Sequence, residues 1–240
     1  QDRLAVQQFD DRIVLVIADG AGGIGGGAEA AQFACDRAMQ LAHASPGNAR
    51  DWVDRRLAID QALSKSENAG QTTMVVAEAW NGKVGGASVG DSEAWLVGNQ
   101  HASVRLTEHQ QRKPLVGSGQ ASPCPFGPVE LNGRRLLIGS EGLFRFARPD
   151  QLSRVAQLSV TPRVPSLLSD LARLPNGELQ DDVAIIVCEE DADHTAVMRE
   201  ITELLPGAQR GESDACFEVA QRYEALDQEE AAAHWFKTAA

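Results

Sequence analysis

Long hydrophobic runs are missing from these 240 residues. Nothing approaches the roughly 20 consecutive apolar positions that a membrane-spanning helix needs, and no signal-peptide pattern opens the sequence. Paired cysteines are missing too. Cys35, Cys124, Cys188 and Cys216 lie far apart, with no C-x-x-C and no zinc-ligand spacing. That argues against a disulfide framework or a zinc module, and a reducing cytoplasm is the compartment it fits. Cys35 and Cys188 fall in apolar stretches and read as buried thiols. Positive charge is scarce: 22 Lys and Arg stand against 34 Asp and Glu, a formal net charge of -12. That balance disfavours nucleic acid and anionic membrane as partners. Most of the acid is expected to be solubilising surface, but clustered carboxylates also suit a divalent cation.

What is present is a globular pattern, with 43% hydrophobic and 23% charged residues. Residues 13–18, IVLVIA, form a continuous apolar run rich in β-branched side chains and read as a buried strand. A glycine-rich loop (20–27) follows, then a helix in which Ala30, Phe33, Ala34 and Leu41 share a face. Ser45-Pro46-Gly47 is the expected stop. A second helix fits 51–64, with Trp52, Ile59 and Leu63 on its apolar stripe beside Val53 and Leu57. From Gln71 the period shortens. TTMVVAEAW, KVGGASVG, EAWLVG and SVRLT read as strands, with Asn81-Gly82 as a hairpin turn between the first two. Residues 113–128, rich in Gly, Pro and Ser, read as a loop. RRLLIGS and VAIIVC are further strands, with two helices expected between them, near 149–157 and 165–173. Hairpin-linked strands and grouped helices give an α+β fold with a largely antiparallel sheet system, not a βαβ alternation. After Glu190 the pattern turns helical: one helix over 192–205 stopped by Pro206-Gly207, then an antiparallel pair over 215–225 and 229–239. Phe217, Ala220 and Tyr223 are expected on one face of that pair, and Ala232, Trp235 and Phe236 on the other.

Gly20, Gly22 and Gly25 satisfy G-x-G-x-x-G between a strand and a helix, the setting of a dinucleotide fingerprint. Two features oppose that reading. Asp19 would repel a pyrophosphate, and the expected second strand ending in an acidic residue is replaced by helix. A purely structural loop remains open. A third reading uses Asp19 itself: a carboxylate at a strand end beside flexible backbone suits a hard divalent cation. Asp2, Glu141 and Asp181 fall in comparable places near strand ends. Each alone reads as a solvated turn residue, but four such carboxylates can converge on one cluster.

Five segments in order resemble the type 2C family of metal-dependent protein serine/threonine phosphatases over residues 1 to about 190. They are Gln1-Asp2-Arg3, VIADGAGGIGGGAEAA, GQTTMVVAEA with GGASVGDSEAWLV, LLIGSEGLF, and LQDDVAIIVC. The resemblance implies an antiparallel β-sandwich flanked by helices (αββα). It implies hydrolysis of phosphoserine or phosphothreonine in proteins by a metal-activated water, with no phosphoenzyme and therefore no nucleophilic Cys or Ser. Carried over by position, it implies two Mn²⁺ or Mg²⁺ ions. Asp19 would bridge them, Gly20 would offer its carbonyl to one, Glu141 and Asp181 would complete the other, and Asp2 would support the site through water. His43, His101 and His109 are open as general acids, with surface roles the plainer account.

The pattern departs from the family at Gln1, where the family has Glu, and at Glu141, where it has Asp. Asp182 stands in place of Asn. The longer Glu141 side chain shifts its oxygens, so affinity falls or manganese is preferred. Asp91 matches one ligand of a third cation, but Arg145 stands at the other, so a third site is expected to be weak. The family's phosphate-binding arginine lies upstream of the Glu-Asp pair, so Arg3 is not its match. The 106–131 segment is short for the family's flap. Residues 191–240 resemble a single tetratricopeptide-like helical hairpin, a plain helical extension or a docking place for a partner protein. The alternative to an enzyme is a catalytically weak member that binds phosphoproteins or scaffolds a partner.

Overall fold

The computed structural model describes residues 1–22, 25–44, 49–66, 70–98, 103–158, 163–190, 192–226 and 228–239. The expected helix stop at 45–47 lies outside the described residues. The chain divides into two compact units, Gln1–Glu189 and Glu190–Ala240.

The first unit runs β1 (Arg3–Gln8), β2 (Ile13–Ala18), α1 (Gly27–Ala44), α2 (Ala49–Ser64), β3 (Met74–Trp80), β4 (Lys83–Val89), β5 (Glu93–Val97), β6 (Val104–Arg105), β7 (Cys124–Glu130), β8 (Arg135–Gly139), α3 (Glu141–Phe144), α4 (Pro149–Ala156), α5 (Arg163–Asp170) and β9 (Ile185–Cys188). Two antiparallel sheets result, one in the order β1-β2-β3-β4-β7 and one in the order β6-β5-β8-β9.

The apolar runs are continuous because both faces of the central strands are covered. Val14, Val16 and Ala18 of β2 join Met74 and Val76 in a core with Ala30, Ala34 and Ala38 of α1 and Trp52 and Ile59 of α2. Leu15 and Ile17, on the opposite face, pack with Val75, Ala77, Leu96, Leu136 and Ile138 between the two sheets. Leu137, on the outer face of β8, packs with Leu143, Leu152, Val164 and Leu168. The order is helices, sheet, sheet, helices: the expected αββα sandwich. Asn81 (φ 45°) and Gly82 (φ 73°) turn β3 into β4. Trp52 is fully buried, and its indole N–H donates to Glu78 Oε2 at 2.7 Å.

Four details depart from expectation. The 113–128 stretch holds a strand, β7, paired along β4 from Cys124. Pro125 and Pro128 fit there because β7 is an edge strand, where missing N–H donors are tolerated. Of SVRLT only Val104 and Arg105 are strand. Cys188 is half-buried, not enclosed. A one-turn helix, α3, follows Ser140 where no helix was expected.

The second unit comprises α6 (Ala192–Gln209), α7 (Ser213–Ala225) and α8 (Glu229–Ala239). Pro206 does not stop α6. Its ring removes one intrahelical bond, yet the last turn is kept by burial of Ala208 in a core with Ile201, Cys216 and Val219. On α7 the core face is Cys216, Val219 and Ala220. Phe217 sits outside it, exposed, against Phe236 at 5.5 Å between rings. Trp235 packs against the unit's core. Among the described residues no helix is long and apolar enough to cross a membrane.

Candidate metal centre

Asp19 ends β2, and its backbone is fixed from both sides. Its N–H meets Thr73 Oγ1 at 3.1 Å, and its carbonyl accepts from Thr72 Oγ1 and the Thr73 N–H, both at 2.9 Å. Thr73 Oγ1 lies 2.7 Å from Ser92 Oγ, tying the G-x-T-T and G-D-S segments together. Gly20 runs against the start of α1, where an added Cβ would overlap the Gly27 carbonyl. Only a glycine lets the chain turn away there and leave the Asp19 carboxyl facing outward.

Glu141 and Asp181 are brought together by Ser140 and Gly142. Buried Ser140 spends its hydroxyl on the Ala184 N–H (3.0 Å), and its own N–H donates to the Ala184 carbonyl (3.1 Å). A Cβ on Gly142 would collide with the Asp182 carbonyl and stand 3.2 Å from Asp181 Cβ. The S-E-G sequence thus closes the end of β8 onto the segment entering β9.

These elements open on one cavity of about 640 Å³ lined by Gln1, Gly20 and six carboxylates: Asp2, Asp19, Asp91, Glu141, Asp181 and Asp182. All the residues expected as ligands line it, and among the described residues no lysine or arginine does. The electrostatic consequence falls on Asp19, whose pKa is pushed up to about 8. Burial is the largest cause, followed by the charge of Asp2 and hydrogen bonding to it, then Asp181 and Asp91. Asp2 Oδ2 is buried with no hydrogen-bond partner. Surplus acceptors and a carboxyl that resists ionising suit a divalent cation, and an all-oxygen donor set fits Mg²⁺ or Mn²⁺. Among the described residues no three His, Cys, Asp or Glu side chains already form a ligating group. The carboxylates share a cavity without closing on one point.

One reason is visible at its rim. Arg112 Nη2 stands 2.9 Å from Asp91 Oδ2 and 3.1 Å from Glu141 Oε1, and Arg145 Nη1 reaches the same Glu141 oxygen at 3.5 Å. Arg112 was not singled out by sequence reasoning. It belongs to no motif, and its contacts depend on how the loop after β6 returns to α3. Asp60 was missed as well. Nearly fully buried on α2, it accepts from the N–H groups of Gly117 (2.7 Å), Gly119 (3.0 Å) and Ala121 (3.0 Å). The loop so anchored exchanges 3.0 Å backbone bonds between Val116 and Thr72, the residue that holds Asp19. No local signal marks it, because its partners in Gly117-Ser118-Gly119 begin 57 residues further along the chain.

Of the three histidines, His43 packs edge-on to Phe9, His109 is exposed, and neither lines the cavity. His101 lies outside the described residues. Burial pushes the Cys35 thiol up to about 12 and Cys188 to about 11, so neither is a thiolate nucleophile near neutral pH.

Comparisons with known proteins bear on the sequence of residues 1–114 and on the fold of the first unit. Residues 1–114 match the family model described as Protein phosphatase 2C. In structure, the chain is similar to a variant of a bacterial serine phosphatase (TM-score 0.69, 24% identity, covering 79% of this chain and 91% of that one). It is similar to the serine/threonine phosphatase Stp1 from Staphylococcus aureus (0.66, 21%, 80% and 89%). It is also similar to the catalytic domain of the serine threonine protein phosphatase PstP in complex with 2 manganese ions (0.62, 19%, 78% and 90%). No curated protein matches in sequence, and the tetratricopeptide-like reading of the last helices finds no counterpart among these matches. Residues 1–114 thus match the Protein phosphatase 2C model in sequence, and the first unit is similar in fold to bacterial serine/threonine phosphatases.

Proposed function

We propose that the chain hydrolyses phosphoserine and phosphothreonine in proteins with two divalent cations held in the acidic cavity. The observation that carries this reading is Asp19: a strand-end carboxyl, fixed by its backbone, whose pKa is raised to about 8 by burial and three neighbouring carboxylates. Asp2, Asp19, the Gly20 carbonyl, Glu141 and Asp181 would hold the ions. The chemistry such ions supply is charge neutralisation on a phosphoryl group and activation of water. The chain's own residues do the positioning. Thr72 and Thr73 fix Asp19, Ser140 and Gly142 set Glu141 beside Asp181, and Asp2 offers a buried oxygen that no donor claims. Asp91 is held by Arg112, so a third cation there would bind weakly. Mn²⁺ is the preferred ion, because Glu141 suits a less demanding coordination than Mg²⁺ imposes. The helices of the second unit are a place for a partner protein.

The test is hydrolysis of a phosphothreonine peptide and of p-nitrophenyl phosphate by the full chain with Mn²⁺, Mg²⁺ or chelator. Turnover that needs Mn²⁺ and disappears in Asp19→Asn supports the reading. Absence of turnover in Mn²⁺, with retained phosphopeptide binding, would instead make the chain a phosphoprotein-binding module.

A further inference from the structure

A second cavity, of about 580 Å³, adjoins the acidic one and shares Asp91 and Glu141 with it. Its remaining walls are of opposite character: Arg105, Arg112 and Arg145, with Glu93, Gln110 and Phe144. Arg105 has its own partner, Glu93 Oε1 at 3.0 Å. Arg112 bonds Asp91 Oδ2 through Nε (3.3 Å) and Nη2 (2.9 Å), and the carboxylate contact of Arg145 is the Glu141 oxygen that Arg112 also reaches. Among the described residues, their only carboxylate partners are Asp91 and Glu141, the two walls shared with the acidic cavity. Both guanidinium groups lean on a single Glu141 oxygen, Arg145 at a marginal 3.5 Å, and both side chains are more than 60% exposed. Each guanidinium carries five N–H donors, so most of their donor capacity is unspent. Any cation that engages Glu141 takes away the partner they share. Phe144, stacked on Trp95 at 5.3 Å, gives this cavity a fixed apolar wall.

From this geometry we infer that the arginine cavity is a subsite for an acidic side chain flanking the phosphorylated residue, with Arg112 and Arg145 as the recognising groups. The inference rests on the phosphatase reading for its phosphorylated residue. An extended peptide advances about 3.3–3.6 Å per residue. Because the two cavities share walls, the acidic side chain lies within a few positions of the phosphorylated one. A carboxylate there takes the place Glu141 holds in the cation-free protein, so recognition and cation loading are coupled through one side chain.

The experiment compares phosphothreonine peptides that differ only in Glu or Ala at flanking positions, with p-nitrophenyl phosphate as a substrate without flanks. The readout is the ratio of kcat/KM for the acidic over the neutral peptide, which stands apart from the absolute rates. Wild type should favour the acidic peptide about fivefold at low salt, the scale of exposed ion pairs, and the preference should shrink with added salt. The double variant Arg112→Ala/Arg145→Ala should bring the ratio close to one, Arg112→Lys/Arg145→Lys should keep part of it, and Arg112→Glu/Arg145→Glu should reverse it toward Lys-flanked peptides. A wild-type ratio near one, or a preference undiminished in the alanine double variant, overturns the inference. If wild type turns over none of the three substrates in Mn²⁺, the phosphatase reading fails, and fluorescence anisotropy of the same peptides decides the subsite. Flank-dependent binding lost in the double variant supports it, and binding indifferent to the flank overturns it.

Discussion

At the scale of single residues, the acidic cavity turns on Asp19. Asp19 has a pKa near 8 against an ordinary 3.8. The unfolded chain therefore releases this proton from about pH 4, and the cation-free folded chain releases it only near pH 8. Where the pKa is raised on folding, the unfolded state loses protons first. Stability in chelator should thus decline as pH rises through that window and level off above it. Urea denaturation at intervals from pH 4 to 9 measures the slope, and Asp19→Asn should flatten it. Because a cation must displace the same proton, Mn²⁺ affinity measured by calorimetry should climb with pH up to about 8. Glu141 supplies a second expectation. Shortening it by Glu141→Asp should raise turnover with Mg²⁺ relative to Mn²⁺, since the smaller ion tolerates less displacement of its ligands; the ratio of rates in the two metals is the measurement. Asp19, Glu141 and Asp181 were visible in the sequence because each follows or precedes an apolar strand. Arg112 was not: nothing in its neighbours marks a side chain that will bridge residues 91 and 141.

At the scale of elements, the fold was legible where one periodicity dominated. Strand β2 is apolar on both faces because two cores claim it, and Asn81-Gly82 fixes the β3–β4 hairpin by turn chemistry. β7 was illegible because Pro125, Gly127 and Pro128 argue for a loop, and only its place at the edge of a sheet makes them acceptable. The passage of α6 through Pro206 was illegible for the converse reason: local chemistry said stop, and burial of Ala208 outweighed it. That balance has a measurable side. Pro206→Ala restores a backbone bond in a helix already formed and should stabilise the second unit by about 1–3 kcal/mol, read from thermal unfolding of the full chain. Asp60 gives the opposite case. Asp60→Ala leaves the three amides of Gly117, Gly119 and Ala121 without their acceptor and should cost about 2–4 kcal/mol in denaturant. It should also weaken Mn²⁺ binding, because the loop it anchors is bonded to Thr72 and through it to Asp19.

At the scale of the whole molecule, cations that bind only the native cluster stabilise it by mass action, about 2.7 kcal/mol for one site at a hundredfold excess over Kd. Saturating Mn²⁺ should therefore raise Tm by roughly 5–10 °C for a chain of this size, chelator should reverse the shift, and Asp19→Asn should abolish it; differential scanning calorimetry reads all three. The layering has an optical corollary. Trp52, on α2, lies in the core that α2 and α1 share with the first sheet, Trp95 packs against the core under α4 and α5, and Trp235 packs against the core of the second unit. Among the described residues, three of the four apolar clusters thus include or border a tryptophan. Trp52, sealed from water, should emit toward the blue. Trp95, stacked on the Phe144 that walls the arginine cavity, should change in intensity when a peptide enters. Variants that keep one tryptophan at a time would show whether the compartments melt together or in turn.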